Sequence, residues 1–243
     1  MEDSPIGLDK WLPAIWMIVN AKNGVSSYEI HRALGITQKS AWFMLHRIRL
    51  AMQSKTWNKL SGEVEVDETY IRGKARNMHK WKREAKIQGR GSVGKAAVMG
   101  LLERDGDVRA RVIAEADQDT LHKHVKRNVR RGSEVFTDGW PSYEGLDARY
   151  VHNVINHAEK YVDGQIHTNG IENFWSLLKR TLKGTYVSVE PFHLFRYLDE
   201  QSFRYNKRLG NDLYRFLETA KAVTGRRLTY SELTDNQKHG SEN

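Results

Sequence analysis

Three runs of alternating hydrophobicity constrain this chain more than any other feature. Glu63 to Ile71, Ala96 to Glu103 and Val108 to Ala114 each repeat with period two, the spacing of a strand with one buried face. Arg104-Asp-Gly-Asp107 joins the last two, and Asp-Gly between alternating runs is a strong hairpin signal. An antiparallel start to a sheet follows. A helix is then expected from about Gln118 to Arg131, a fourth strand over Glu134 to Thr137 and a fifth over Tyr150 to Asn156. A second helix runs from about Thr168 to Lys183.

The order strand, strand, strand, helix, strand, strand, helix predicts an α/β fold. It resembles a ribonuclease-H-like core in which one inter-strand helix has shrunk to a loop, and a five-strand α/β sheet of another topology fits the same pattern. At 243 residues the chain has room for one sizeable core and a small accessory domain. It has no cysteine, which excludes disulfide frameworks, thiol catalysis and Cys-ligated zinc within these residues. No stretch approaches the length of a membrane span, and the polar start Met1-Glu-Asp-Ser-Pro lacks the pattern of a secretory leader, so a soluble cytoplasmic protein with no membrane partner is expected.

Ahead of the strands the periodicity is helical. Residues 8 to 22 place Leu8, Trp11, Leu12, Ile15, Ile18 and Val19 inward, with Pro13 as a boundary or kink. Ser26-Ser-Tyr-Glu29 is a capping-box pattern opening a short helix that ends at Leu34-Gly35. Thr37-Gln-Lys-Ser opens the next, through Leu50. The spacing suits a helix-turn-helix, with Gln38, Lys39, Trp42, Arg47 and Arg49 among the polar or exposed positions of its second helix. Gln38, Lys39 and Arg47 are candidate DNA contacts, although a small helical domain that only packs on its neighbour gives the same pattern. After the sheet region Pro191 starts a helix to about Lys207, Asp212 to Ala222 forms another, and polar residues from about Thr229 onward read as a loose tail.

Net charge is +9, which favours a polyanionic partner. From Arg72 to Gly94 there are eight Lys or Arg and one Glu, a net +7 in one Gly-rich segment without apolar periodicity. Such a basic insertion would repel itself without a counter-surface, so Lys80, Lys82 and Arg83 are expected to meet phosphates, with Trp81 and His79 placed to stack.

Three acids stand in contexts that suit hard-metal chemistry: Asp67 in V64-E-V-D-E-T-Y-I71, Asp138 in V135-F-T-D-G-W-P-S-Y143, and Glu172 in H167-T-N-G-I-E-N-F-W-S-L-L-K-R180. Divalent ions such as magnesium take few carboxylates, and two ions can share one aspartate. Asp67 shares a strand face with Glu63 and Glu65. An acidic edge strand is the competing account for it, and a turn role the competing account for Asp138-Gly. On the last helix Ile171, Phe174, Leu178 and Leu182 form an apolar stripe beside a polar row of Asn169, Glu172, Ser176, Lys179 and Lys183. That row also reads as an ordinary solvent-exposed face. The histidines at 152, 157 and 167 lack the tight spacing of a zinc site.

Those three blocks resemble the ISXO-type transposases of bacterial insertion sequences, members of the DDE group, over residues from about 8 to 210. The resemblance implies Asp67, Asp138 and Glu172 as the catalytic and metal-binding triad, Glu172 lying 34 positions after Asp138, with Asn169 as a substitute or supplementary ligand. It also implies Lys179 on a phosphate, two Mg²⁺ or Mn²⁺ ions, and double-stranded DNA, both transposon ends and target, as partner. A homodimer or higher oligomer would assemble on that DNA. Family members commonly begin with a cysteine-containing zinc ribbon, absent from these residues. The expected division is a helix-turn-helix-like domain over 1–60, a catalytic domain over 61–225 carrying the basic insertion 72–94, and a polar tail over 226–243. The rival functions are a stand-alone metal-dependent nuclease and a DNA-binding regulator derived from a transposase.

Overall fold

A computed structural model describes residues 4–53, 58–72, 95–155, 167–187 and 189–234. The chain folds as two compact units, one helical, from residues 1–54 and 180–243, and one built on a sheet, from 55–179.

In the helical unit α1 (Leu8–Asn20), α2 (Ser27–Leu34) and α3 (Gln38–Met52) follow the expected punctuation. Ser26 Oγ accepts the Glu29 N–H at 3.2 Å while Glu29 Oε2 accepts the Ser26 N–H at 2.7 Å, a reciprocal capping box. Gly35 ends α2 in the left-handed region at φ 63°, which costs glycine little. Thr37 then caps α3 by accepting the Ser40 N–H at 3.1 Å. Helix α1 runs through Pro13, whose missing N–H leaves the Asp9 carbonyl without its helical donor. Trp11, Ile15, Ile18, Ile30, Met44 and Ile48 share one apolar core with Phe203 of a later helix. Leu8 and Leu12, expected inward, are exposed instead.

Arg49, expected among polar or exposed positions, is buried. Its Nε donates to Glu200 Oε2 at 2.7 Å, and each side chain is 1% exposed. Tyr186 and Arg204 donate to the other oxygen of Glu200, so the buried carboxylate is fully partnered.

The sheet has five strands, β1 (Glu63–Arg72), β2 (Lys95–Glu103), β3 (Val108–Ile113), β4 (Glu134–Asp138) and β5 (Val151–Ile155), in the order β3-β2-β1-β4-β5. The first three form an antiparallel meander, and β4 and β5 add in parallel on the other side of β1. Asp105 takes φ 58° in the β2–β3 turn, a conformation that Asp tolerates. Between β4 and β5 the connection holds only a short 3-10 turn, Pro141–Tyr143. Helix α4 (Gln118–Asn128), capped by Asp117, contributes Leu121 and Val125 to a core with Val64, Val66, Met99, Leu101 and Val135 on one sheet face. Helix α5 (Asn169–Gly184) packs on the opposite face, Trp175 and Ile171 lying directly over Gly100. Central strand β1 is thus covered on both sides.

Helices α6 (Leu194–Asn206), α7 (Asp212–Ala222) and α8 (Tyr230–Thr234) complete the chain order. The segment from Thr229, expected to be loose, holds α8 because Thr229 and Glu232 form another reciprocal cap. Thr229 Oγ1 accepts the Glu232 N–H at 3.3 Å, and Glu232 Oε2 accepts the Thr229 N–H at 2.6 Å.

Candidate active site

Strands β1 and β4 are parallel neighbours, with Glu63 level with Glu134 and Glu65 level with Phe136. The pairing ends there, and Asp67 and Asp138 each stand two positions further along, which keeps each on the face of Glu65 and Phe136 and lets the Asp138 charge act on Asp67. On β2, Gly100 is the partner of Asp67. The absent side chain is what lets α5 sit there, because a Cβ on Gly100 would lie 2.5 Å from Trp175 Cζ2 and 2.8 Å from Ile171 Cδ1. Trp175 Nε1 donates to Asp67 Oδ2 at 2.9 Å, while the Glu68 N–H donates to Oδ1 at 2.8 Å. Both Asp67 oxygens are therefore oriented.

Glu172 stands on the first turn of α5, exposed, and accepts a hydrogen bond from Thr168 Oγ1 at 3.2 Å. Asn169 is exposed on the same turn, and Lys179 is half-buried two turns along. Asp138 is half-buried and accepts the Trp140 N–H at 3.2 Å, fixing the Asp-Gly-Trp turn.

A bridge that sequence reasoning missed seats the start of α5. Glu65, 1% exposed, accepts the Ile171 N–H at 2.9 Å through Oε2 and Arg104 Nε at 3.0 Å through Oε1. His167 Nδ1 lies 3.5 Å from Oε1. Arg104 also bonds Glu63, donates to the His167 carbonyl at 2.7 Å, and lies over the Phe136 ring at 4.0 Å. A Cβ on Gly170 would lie 2.8 Å from Glu65 Oε2, so glycine is what allows the carboxylate this close to the helix.

Burial foremost, opposed by the Trp175 hydrogen bond and reinforced by the charges of Asp138 and Glu172, pushes Asp67 up to about 6. Glu68 rises to about 7, again chiefly through burial and then through Asp138 and Asp67, although buried Tyr143 donates to it. Among the described residues no three His, Asp or Glu side chains lie close enough to hold a metal ion between them. The donor chemistry nevertheless fits a hard divalent cation. Oxygen donors from Asp67 and its acidic neighbours raise one another's charge cost, and a cation bound there would relieve it.

The remaining expected contacts are on other elements. Gln38 is half-buried and donates to Ser27 Oγ at 2.8 Å. Lys39 is exposed, with Nζ 4.7 Å from the Tyr230 ring centre, and half-buried Arg47 lies over Trp11 and Phe43. Lys80, Lys82 and Arg83, with the rest of the basic insertion from residue 73 to 94, lie outside the described residues.

Residues 59–206 match the model of the ISXO2-like transposase domain. The chain belongs to that family. An uncharacterized protein in transposable element ISH50 of Halobacterium salinarum is 25% identical over 74% of this chain and 64% of its own length. An uncharacterized transposase-like protein of Haemophilus influenzae is 32% identical over 39% of this chain and 77% of its own. The chain therefore spans less than two thirds of the halobacterial relative. One chain of a cryo-EM structure of the simian T-cell lymphotropic virus intasome in complex with PP2A regulatory subunit B56 gamma aligns over 82% of this chain and 66% of that one, at 15% identity. Its TM-score of 0.33 is too low to bear on the fold.

Two outcomes follow for this member of the ISXO2-like family. Gly100→Val should force Trp175 off Asp67 and lift α5 from the sheet, lowering unfolding free energy by about 1 to 3 kcal/mol, as overpacked cores do. Urea denaturation measures it, and an unchanged midpoint would show that α5 shifts without strain. The second concerns pH. Carboxyls raised on folding bind more protons in the folded than in the unfolded chain, so their favourable contribution is complete at about pH 4 and is lost as pH rises towards 7. Metal-free protein should thus lose stability across that window, and Asp67→Asn should flatten the slope. A slope identical in Asp67→Asn would place the titrating group elsewhere.

Proposed function

We propose that this chain is an active DDE transposase, which cuts DNA at the ends of an insertion sequence and joins the freed 3′-hydroxyl to target DNA. The observation that carries the reading is the parallel pairing of β1 with β4, whose strands bear Asp67 and Asp138 two positions beyond the last paired residues, with Glu172 on the helix whose Trp175 bonds Asp67. The sheet order, an antiparallel meander extended by two strands parallel to the first, supports a ribonuclease-H-like core. The near-absent helix between β4 and β5 is the shortening that this reading requires.

Asp67, Asp138 and Glu172, with Asn169 beside them, would hold one or two Mg²⁺ or Mn²⁺ ions. Such ions, when bound, activate an attacking oxygen and stabilise a leaving one. The protein's own groups then have distinct tasks. Trp175 and the Glu68 N–H hold the Asp67 carboxylate in one orientation, and the Glu65 bridge fixes the turn that carries Glu172. Lys179 meets a DNA phosphate on the same helix. No side chain need become covalently attached, since water and then the DNA 3′-hydroxyl are the nucleophiles.

Residues 1–60 are assigned to DNA binding, with α3 as the reading helix through Gln38, Lys39 and Arg47, and 61–225 to chemistry. The basic insertion, with Lys80, Lys82 and Arg83, is assigned to the phosphate backbone. The test is an assay with Mg²⁺, a supercoiled plasmid and a duplex bearing the terminal repeats that flank the gene. Joined products are expected. Hydrolysis without joining would identify a nuclease, and binding without cleavage a regulator.

A further inference from the structure

The two aspartates of the candidate site stand where the sheet comes apart. Strands β1 and β4 pair only as far as Glu65 with Phe136. Beyond that level β1 stays paired with β2 as far as Arg72, and β4 stays paired with β5 as far as Asp138. Asp67 and Asp138 therefore ride on opposite lips of an opening, each held by the strand on its far side. The β1–β4 ladder stops short of both acids and leaves the width of the opening to other contacts. Groups that must act together in a site need their separation held to within about 0.5 Å.

A side-chain bond spans the opening. Tyr143, 1% exposed, donates its hydroxyl to Glu68 Oε2. Glu68 follows Asp67 on β1, and its N–H donates to Asp67 Oδ1 at 2.8 Å. Tyr143 closes the turn after β4. Its N–H donates to the Trp140 carbonyl at 3.0 Å, and the Trp140 N–H donates to Asp138 Oδ1 at 3.2 Å. Hydrogen bonds thus run from one oxygen of Asp67 to one oxygen of Asp138 by way of Glu68 and Tyr143. The turn is also anchored from behind, Ser142 Oγ donating to the Ala116 carbonyl at 3.3 Å and Gln118 Nε2 to the Glu144 carbonyl at 2.8 Å. With its back fixed near the start of α4, the turn transmits the Glu68 bond to Asp138 instead of absorbing it.

Packing alone does not call for these two residue types. Glu68 continues the β1 row of Val64 and Val66, which share an apolar core with Tyr143 and with Leu121 and Val125 of α4. Phenylalanine at 143 and an apolar residue at 68 would bury the same ring without bringing a hydroxyl and a carboxylate to that core, where each is costly unless partnered. We infer that Tyr143 and Glu68 are positioning residues of the acidic site, a cross-brace that sets the separation of Asp67 from Asp138. The inference rests on the metal-dependent reading of that site, and both residues act through the aspartates, holding neither metal nor DNA.

Two measurements on the full chain test it. Free Mn²⁺, counted by its electron paramagnetic resonance signal, gives metal affinity without DNA, and single-turnover cleavage of a terminal-repeat duplex at saturating Mn²⁺ gives the rate of the assembled site. Tyr143→Phe keeps the buried ring and the Glu68 charge and removes only the brace. It should weaken Mn²⁺ binding about tenfold and slow cleavage up to about a hundredfold, the scale of a displacement of about 1 Å, with unchanged circular dichroism and DNA affinity. Glu68→Gln still accepts from Tyr143, so at saturating Mn²⁺ it should cleave at least about tenfold faster than Glu68→Ala, and this pair decides the matter if Tyr143→Phe does not fold. Combining Tyr143→Phe with Glu68→Ala should add little to either alone, because both cut one bond. A Tyr143→Phe protein with wild-type Mn²⁺ affinity or wild-type rate would overturn the proposal. So would a Glu68→Gln protein as slow as Glu68→Ala, since charge and not the brace would then matter. Mn²⁺ binding that Asp67→Asn leaves intact would instead sink the metal reading itself, and the brace with it.

Discussion

Asp67→Ala and Asp138→Ala should each abolish Mg²⁺-dependent cleavage, a loss on the order of a thousandfold or more, while leaving DNA affinity nearly unchanged. The size follows from removing a group that fixes the charge on the reacting oxygens, where even one preorganised donor is worth about 10²- to 10³-fold. Binding survives because affinity for duplex DNA comes mainly from cations on phosphates. Removing Asp67 takes a charge from a site where carboxylates repel one another and also leaves the buried Trp175 N–H without its acceptor, two effects of opposite sign on stability in the absence of metal. Glu172→Ala should behave likewise, less completely if Asn169 takes over as ligand. Cleavage of labelled duplex and gel-shift titration at fixed salt measure the two properties. Parallel loss of binding and cleavage in a folded variant would sink the assignment.

The second large effect is expected at a residue with no proposed contact to DNA or metal. Glu65→Ala leaves the Ile171 N–H without its acceptor in a buried site and takes one carboxylate from half-buried Arg104, which keeps Glu63 and the His167 carbonyl. Leaving a buried donor unsatisfied costs about 1 to 3 kcal/mol, and more where a charged partner is involved, a large fraction of a typical domain's stability of about 5 to 15 kcal/mol. Glu65→Gln keeps an acceptor but loses the charge, and should cost about 1 to 3 kcal/mol. Because the same bond seats the turn carrying Glu172, the folded fraction of either variant should also cleave more slowly. Urea denaturation alongside single-turnover cleavage separates the two losses. A Glu65→Ala protein within about 1 kcal/mol of wild type would mean that helix α5 is seated by its apolar stripe alone.

The strands were legible because period two and an Asp-Gly turn are local signals, and the helix stripe at Ile171, Phe174 and Leu178 was legible for the same reason. What stayed hidden depends on distance along the chain. Glu65 reads as one acid of an alternating face until Arg104, 39 positions away, and Ile171, 106 positions away, are found against it. Arg49 reads as a solvent-facing cation because nothing nearby announces Glu200. Trp175 was not part of the stripe read from the sequence, and only the register of β1 against β2 puts Asp67 and Gly100 beneath it. The cap at Thr229 and Glu232 is different, since Thr-x-x-Glu is a local pattern that polar composition concealed.

The helical unit is written in two pieces with the sheet unit between them, and this sets an order of assembly during synthesis. Arg49 and Glu200 are 151 residues apart, so at about 5 to 20 residues per second the arginine waits about 8 to 30 s for its carboxylate. Residues 55–179 emerge within that interval, long enough for the acid-bearing sheet to form while the first three helices still lack α6 and α7. Joining the two pieces of the helical unit after the intervening residues have folded adds little entropic cost, because that cost grows only with the logarithm of the intervening length. A ribosome that stops early would therefore release the acids of the sheet with Arg49 still lacking its carboxylate.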